Sequence, residues 1–207
     1  MKLPNELQLF YKKQKTGIEN RLNEFKSIGL SRDDKTLFSE MSFCLLTPQS
    51  KAKSCWAAVC SLKNKGLILK GSAGQIKRHL TGVRFANNKS RYIVGARKLL
   101  KNLKSKNTDD IIALREWLVK NVRGYGYKEA SHFLRNIGFG DNIAILDRHI
   151  LKNMKELGII SEIPKTITRK KYFEIENKLK VFSKKVKIPL AHLDLLFWSK
   201  ETGEIFK

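Results

Sequence analysis

Negative charge is what this chain has least of. Asp and Glu together number 19 against 42 Lys and Arg, a formal net charge of +23 over 207 residues. A lysine-rich composition serving only solubility or heat resistance would carry balancing glutamates, and they are missing. Something outside the chain must oppose such an excess. Nucleic-acid phosphate is the first candidate, because each neutralised phosphate releases condensed counterions. An anionic membrane surface ranks well behind, since there is no basic amphipathic tail and no lipidation motif.

Cysteine is scarce too, with only Cys44, Cys55 and Cys60. An odd count without a CxxC pair argues against a disulfide framework, and three thiols fall short of the four an iron–sulfur cluster takes. The expected setting is a reducing compartment, the cytoplasm with its nucleoid. No uninterrupted apolar run reaches membrane-spanning length, and the opening MKLPNELQLFYKKQ lacks the apolar core of a signal peptide. Sustained period-2 alternation is absent, as are Asn-Gly or Asp-Gly hairpins between β-branched runs. There is no Gly/Ser linker, low-complexity tract or repeat. Hydrophobic residues nevertheless make up 42% of the chain, enough for a core. The length suits one large domain or two small lobes sharing a cleft.

What is present is helical periodicity, so the fold class reads as all-α. Ile111, Leu114, Leu118 and Val122 lie close to one helix face. Ala130, Phe133, Leu134 and Ile137 form an i, i+3, i+4, i+7 stripe. Leu146, Ile150, Met154 and Leu157 form another, with Gly158 where a C′ residue belongs. Further helices are expected at about 5–27, 34–47 ending at Pro48, 51–64, 88–105 (dotted with Arg91, Arg97, Lys98, Lys101 and Lys104), 167–182 and 189–201. Pro189 suits the first turn of the last one and Gly203 follows it. If two lobes exist, residues of about 30–125 form the central one, and 1–29 with 126–207 fold back into the second.

Only Arg123-Gly124-Tyr125-Gly126-Tyr127 separates the first two stripes. Glycines here allow positive φ and close backbone approach, so N–H groups of the loop and of the next helix's first turn can point outward as an anion site. Helix, GYG, helix over 109–138 resembles the helix-hairpin-helix motif, which grips DNA phosphate without reading sequence; the plain alternative is an ordinary αα-hairpin. Lys128 stands in the first turn of the second helix, where the helix dipole disfavours an ammonium. The same field, with desolvation, frees an amine to attack; otherwise Lys128 is a solvated lysine or a phosphate contact. Asp147 follows 19 residues later, in AILDRHI, at the mouth of a third helix that it can cap.

Hairpin, lysine, loop, aspartate and helix together resemble the helix-hairpin-helix DNA glycosylase superfamily. Its bifunctional members use the lysine as nucleophile, and the aspartate is the superfamily's invariant acid. The chain lacks the C-terminal four-cysteine cluster of the endonuclease III and adenine glycosylase branches, and has no room for the β-rich N-terminal domain of the eukaryotic 8-oxoguanine enzyme. It is similar, over nearly its whole length, to the compact, mostly archaeal type-2 8-oxoguanine DNA glycosylase/AP lyases. SFCLLTPQSKA (42–52), RGYGYKEASHFLRNIG to LDRH (123–149) and LDLLFWSKETGEIFK (193–207) carry the likeness.

That resemblance implies a two-lobed helical fold with its active site in the inter-lobe cleft, acting on damaged double-stranded DNA as a monomer. No cofactor, metal or membrane is implied, although hairpin carbonyls suit a monovalent cation. Lys128 and Asp147 become the catalytic pair, and Gly124, Tyr125 and Gly126 the phosphate grip. Trp198 and Lys207 line the pocket of the flipped base. An aromatic face stacks on a purine, and a terminal carboxylate accepts from a guanine edge. Gln49 falls in the loop where relatives insert a glutamine. Arg84 suits an estranged cytosine and Phe85 a wedge in the stack; the plain alternatives are a surface arginine and core aromatics at Phe85 and Trp198. Cys44, Cys55, His132 and His149 show no metal-site spacing and are expected to be structural. Three rivals stay open: a glycosylase for another oxidised base, a non-catalytic DNA-binding module, and, more weakly for want of a carboxylate cluster, a metal-dependent nuclease.

The charge excess has a direct test. The logarithm of the duplex-DNA binding constant, followed by fluorescence anisotropy, is expected to fall linearly with log salt at about 0.9 per phosphate neutralised. A salt-independent constant would remove nucleic acid as the opposing charge.

Overall fold

Each apolar stripe read above forms a helix, and the rest of the chain follows suit. The computed structural model describes residues 3–31, 33–106 and 109–207; Met1, Lys2, Arg32, Asn107 and Thr108, which the lobe boundaries above include, lie outside the described residues. Among the described residues there are twelve α-helices and no strand: α1 Leu3–Ser31, α2 Asp34–Leu46, α3 Ala52–Asn64, α4 Leu67–Lys70, α5 Ala73–Lys77, α6 Ala86–Ala96, α7 Leu100–Lys104, α8 Ile111–Asn121, α9 Tyr127–Asn136, α10 Arg148–Glu156, α11 Arg169–Val186 and α12 Leu190–Thr202. Side-chain oxygens of Asp33, Ser72, Asp110, Asp147 and Thr168 cap five of them by taking first-turn N–H groups. None of the described helices is long and apolar enough to cross a membrane.

Two expectations need correction. The single helix expected over 88–105 is broken: a 3-10 turn, Arg97–Leu99, separates α6 from α7. At that turn the Arg97 guanidinium reaches the carbonyls of Ile68 (3.1 Å) and Leu67 (3.0 Å). A local pattern carries no sign of this long-range bond. The short helices α4 and α5 were not anticipated, because four or five residues are too few to show a period.

The buried apolar residues form two clusters. One runs from Leu37 to Ile143. The other joins both ends of the chain, Leu7–Phe25 with Ala144–Phe197. The α9 stripe packs into the first cluster, whereas the lobe boundary drawn from sequence put residues from 126 onward with the second. The end of α1 also meets the end of α9 backbone to backbone: a Cβ on Gly29 would stand 2.1 Å from the Ile137 carbonyl oxygen, so only glycine fits.

Arg115 and Glu176, both fully buried, join the clusters. Arg115 Nη1 donates to Glu176 Oε2 (2.6 Å) and to Ser131 Oγ (3.2 Å), and Nη2 donates to Oε1 (3.1 Å). Glu176 Oε2 also accepts the Ala144 N–H at 2.8 Å. Burial alone would raise the Glu176 pKa; Arg115 and the Ala144 amide outweigh it and hold the carboxyl below its ordinary range. Since the folded-state pKa lies below the unfolded one, this contribution is complete above the unfolded carboxyl value of about 4.3. It is lost as pH falls through the folded value. Arg115→Met strands the buried carboxylate, and denaturant unfolding at pH 7 is expected to show a loss of about 3–5 kcal/mol. The deficit should shrink as pH falls toward 4, because in the variant burial without Arg115 raises the Glu176 carboxyl and it takes up a proton. A deficit that ignores pH would mean that the charge pair is not what joins the clusters.

Candidate active site

The hairpin between α8 and α9 turns on Gly124, at φ 96°. A Cβ there would lie 2.7 Å from Tyr92 Cδ2, so both conformation and space call for glycine. The sequence predicts loop N–H groups that face outward together, and two of them do not. That of Tyr125 bonds the Val122 carbonyl at 3.0 Å, and that of Gly126 bonds Glu129 Oε2 at 3.0 Å. The Tyr125 side chain is buried and its hydroxyl donates to the Met41 carbonyl at 2.9 Å. It anchors the hairpin to α2, leaving only its main chain for a ligand.

Lys128 is the second residue of α9 and its side chain is 22% exposed. Its Nζ donates to Thr47 Oγ1 at 3.1 Å and lies 3.7 Å from Glu129 Oε1. Thr47 caps the C-terminus of α2, so the amine sits against the turn that carries Gln49. Asp147 caps α10: its Oδ1 accepts the N–H groups of His149 (2.8 Å) and Ile150 (2.9 Å). Both bonds fall on one oxygen and leave Oδ2 uncommitted to the cap. The capping role and the catalytic role foreseen for this residue are therefore compatible.

The two groups bear on a third that sequence reading passed over. Asp194 of α12 is pushed up to about 6, first by burial and then by the negative charge of Asp147; the charges of Arg135 and Lys128 oppose the shift. Its partner is Arg135, with Nη2 at 3.4 Å from Oδ2. Lys128 and Asp147 thus share one electrostatic environment. His132, one turn along α9 from Lys128, is held neutral: burial, then Arg135, Lys128 and Lys207, drive its pKa well below the ordinary value.

The chain's end folds into this region. Lys207 is buried; its Nζ bonds Glu40 and stands 3.7 Å from the Trp56 ring centroid. Burial lowers its pKa, and Glu40 opposes the shift. Glu40 is itself buried and accepts from Asn136 Nδ2 at 2.9 Å. It was missed in the sequence, but a signal exists there: it is the one charged residue in the run LFSEMSFCLL over 37–46, and a carboxylate buried in so apolar a stretch needs a partner. Trp198 stands edge-on to His149, ring centroids 5.0 Å apart. Trp198 Nε1, both ring nitrogens of His132, and Asn136 Oδ1 are buried without a hydrogen-bond partner, an expensive condition unless something else binds there.

Gln49, Arg84 and Phe85 lie on the surface. Gln49 and Arg84 are exposed, and Phe85 is 53% exposed, so it is not a core residue. The Arg84 guanidinium rests 5.3 Å from the Phe85 ring centroid. Cys44 and Cys55 are buried thiols, and Cys55 donates to the Leu46 carbonyl.

A glycine-turned helical hairpin, an amine at the mouth of its second helix and a carboxylate capping the next are the arrangement of a helix-hairpin-helix DNA glycosylase. Comparison with known proteins narrows the class. The model of the family described as 8-oxoguanine DNA glycosylase matches residues 18–188. A protein of Fusobacterium nucleatum named 8-oxoguanine DNA glycosylase/AP lyase is 49% identical over 210 residues, covering 98% of this chain and 97% of that relative. The crystal structure of the Methanocaldococcus jannaschii 8-oxoguanine glycosylase/lyase in complex with a 15mer DNA containing 8-oxoguanine superposes with a TM-score of 0.91 at 36% identity, covering all of both chains. The 8-oxoguanine DNA glycosylase of Thermotoga maritima superposes with a TM-score of 0.85 at 35% identity, covering 99% of this chain and 98% of that one. The chain belongs to the 8-oxoguanine DNA glycosylase family.

Gly124→Ala tests the hairpin. The strained φ and the Tyr92 clash are expected to destabilise the fold by about 1–3 kcal/mol, read by thermal unfolding. Affinities for damaged and undamaged duplex should fall by the same factor, because a backbone contact carries no base information. A selective loss of lesion binding would move the loop into the base pocket.

Proposed function

We infer that this protein carries out base-excision repair, removing 8-oxoguanine from duplex DNA and then cleaving the strand 3′ to the abasic site. The observation that carries the chemistry is an amine at the mouth of α9, held by Thr47, together with a carboxylate at the mouth of α10 whose cap uses Oδ1 alone. The neutral Lys128 amine attacks C1′ of the damaged nucleotide. The glycosidic bond breaks, its electron pair leaves with the base, and the base takes up a proton. Asp147, anchored through Oδ1, stabilises the oxocarbenium charge and helps take the proton released by the amine. The sugar ring opens to a Schiff base between Lys128 and C1′. Loss of a C2′ proton then expels the 3′ phosphate by β-elimination. The hydrogen bond from Nζ to Thr47 supports an amine aimed from α9 toward the attack site.

The remaining residues serve binding. The turn of Gly124, Tyr125 and Gly126 brings a backbone phosphate to the first-turn N–H groups of α9; Trp198 and Lys207 hold the flipped base; Gln49, Arg84 and Phe85 enter the duplex and face the orphaned partner. The protein works as a monomer in the cytoplasm, on nucleoid DNA, in the cleft between its two lobes.

Borohydride added to enzyme and an 8-oxoguanine duplex is expected to trap a covalent adduct, and Lys128→Gln should bind that duplex yet neither trap nor nick. Trapping by the mutant at wild-type level would place the nucleophile elsewhere. Duplexes with oxidised pyrimidines in the same assay separate a different lesion preference. Deleting Lys207 is expected to slow excision far more than nicking at a ready-made abasic site, since only excision needs the base held. Equal losses would mean a general folding defect.

A further inference from the structure

Among the described residues, only Gln49 (φ 53°), Phe85 (φ 60°) and Lys187 (φ 53°) are non-glycine residues in the left-handed region. That conformation is disfavoured for an L-residue and persists where surrounding structure imposes it. Gln49 and Phe85 lie on different elements: Gln49 in the turn from α2 to α3, Phe85 at the N-terminus of α6. One residue bonds both, by its side chain and by its main chain. Lys89, in the first turn of α6, is 4% exposed, and its amide bonds the Phe85 carbonyl at 3.0 Å. Its ammonium donates to the carbonyls of Leu46 (2.7 Å) and Pro48 (2.7 Å) and to Ser50 Oγ (3.1 Å). Three donors meet three acceptors, and the acceptors flank Gln49 on both sides. Ser50 Oγ in turn accepts the Arg84 N–H at 3.0 Å.

Burying an ammonium without a carboxylate partner is expensive. Here carbonyls at and just beyond the C-terminus of α2, where the helix dipole is negative, offset part of that cost. A methionine would fill the same space without any charge to desolvate, so packing alone does not explain the lysine.

We propose that Lys89 is a positioning residue that, through Ser50, clamps the Gln49 turn and the Arg84–Phe85 turn into one rigid unit, so that both side chains enter the duplex together at the lesion. The proposal rests on the reading above that Gln49 and Phe85 insert into DNA.

The test uses 8-oxoguanine duplexes with 2-aminopurine opposite the lesion, whose fluorescence rises when that base unstacks. Lys89→Met is expected to suppress the rise and to slow single-turnover excision about 10- to 100-fold. β-Elimination at a ready-made abasic site in single-stranded DNA should keep its wild-type rate, because no duplex need be opened. In a Gln49→Ala/Phe85→Ala background, adding Lys89→Met should change excision by less than about twofold, since the clamp then has nothing to hold. Wild-type fluorescence and excision in folded Lys89→Met would overturn the proposal, as would a fully additive loss in that background. Should Lys89→Met fail to fold, Ser50→Ala decides by the same readouts: a smaller loss in the same direction supports the clamp, and no loss overturns it. If Gln49→Ala/Phe85→Ala alone leaves duplex excision unchanged, the insertion reading falls and the clamp with it. Loss there with none in Lys89→Met overturns the clamp alone.

Discussion

The geometry of this protein hangs on the buried pair of Arg115 and Glu176. Two charges taken out of water survive only when their donors and acceptors find partners; Arg115 Nε is left without one, and the partners of the other atoms come from separate parts of the chain. Ser131 belongs to α9, three residues past Lys128; Ala144 lies three residues before Asp147. Tyr172 closes the network: its hydroxyl donates to the Ala144 carbonyl at 2.7 Å and lies 3.3 Å from Ser131 Oγ. The pair therefore ties α9, which carries Lys128, to the segment that leads into Asp147. It also stitches the cluster of the chain's middle to the cluster of its ends.

The cations of this basic chain divide by how they are neutralised. Most are exposed and supply the field that draws in a polyanion. Arg115, Arg135 and Lys207 are buried, each against one carboxylate: Glu176, Asp194 and Glu40. Lys89 is buried against neutral oxygens alone. Lys128 is in neither group: partly exposed, it bonds a threonine hydroxyl and lies only loosely near Glu129. An amine so weakly committed suits a group that must leave its partner to form a covalent bond. The tail follows a related logic, with Lys207 closing over an aromatic box and buried polar atoms of His132, Asn136 and Trp198 left unpartnered nearby.

Much of this was legible in the sequence, because it is written in short-range chemistry. Helix faces recur every three or four residues, caps and glycine turns involve neighbours, and the spacing from Lys128 to Asp147 spans one helix and one loop. The all-α class and the hairpin follow from such signals, and Lys128 and Asp147 are singled out by the family resemblance that those signals carry. Only tertiary structure decided the rest. Nothing local told Lys89 or Arg115 apart from the rest of the 42 Lys and Arg, since what distinguishes them is a partner contributed by another element: Glu176 stands 61 residues from Arg115, and Lys207 stands 167 from Glu40. Tyr125 reads as a loop residue available to DNA until the fold places Met41 behind it. The bend at Arg97 likewise waits on carbonyls 29 and 30 residues away. A side chain's local pattern reports its propensity. Its burial, its charge partner and its strain are properties of contacts between distant segments, and these exist only once the chain has packed.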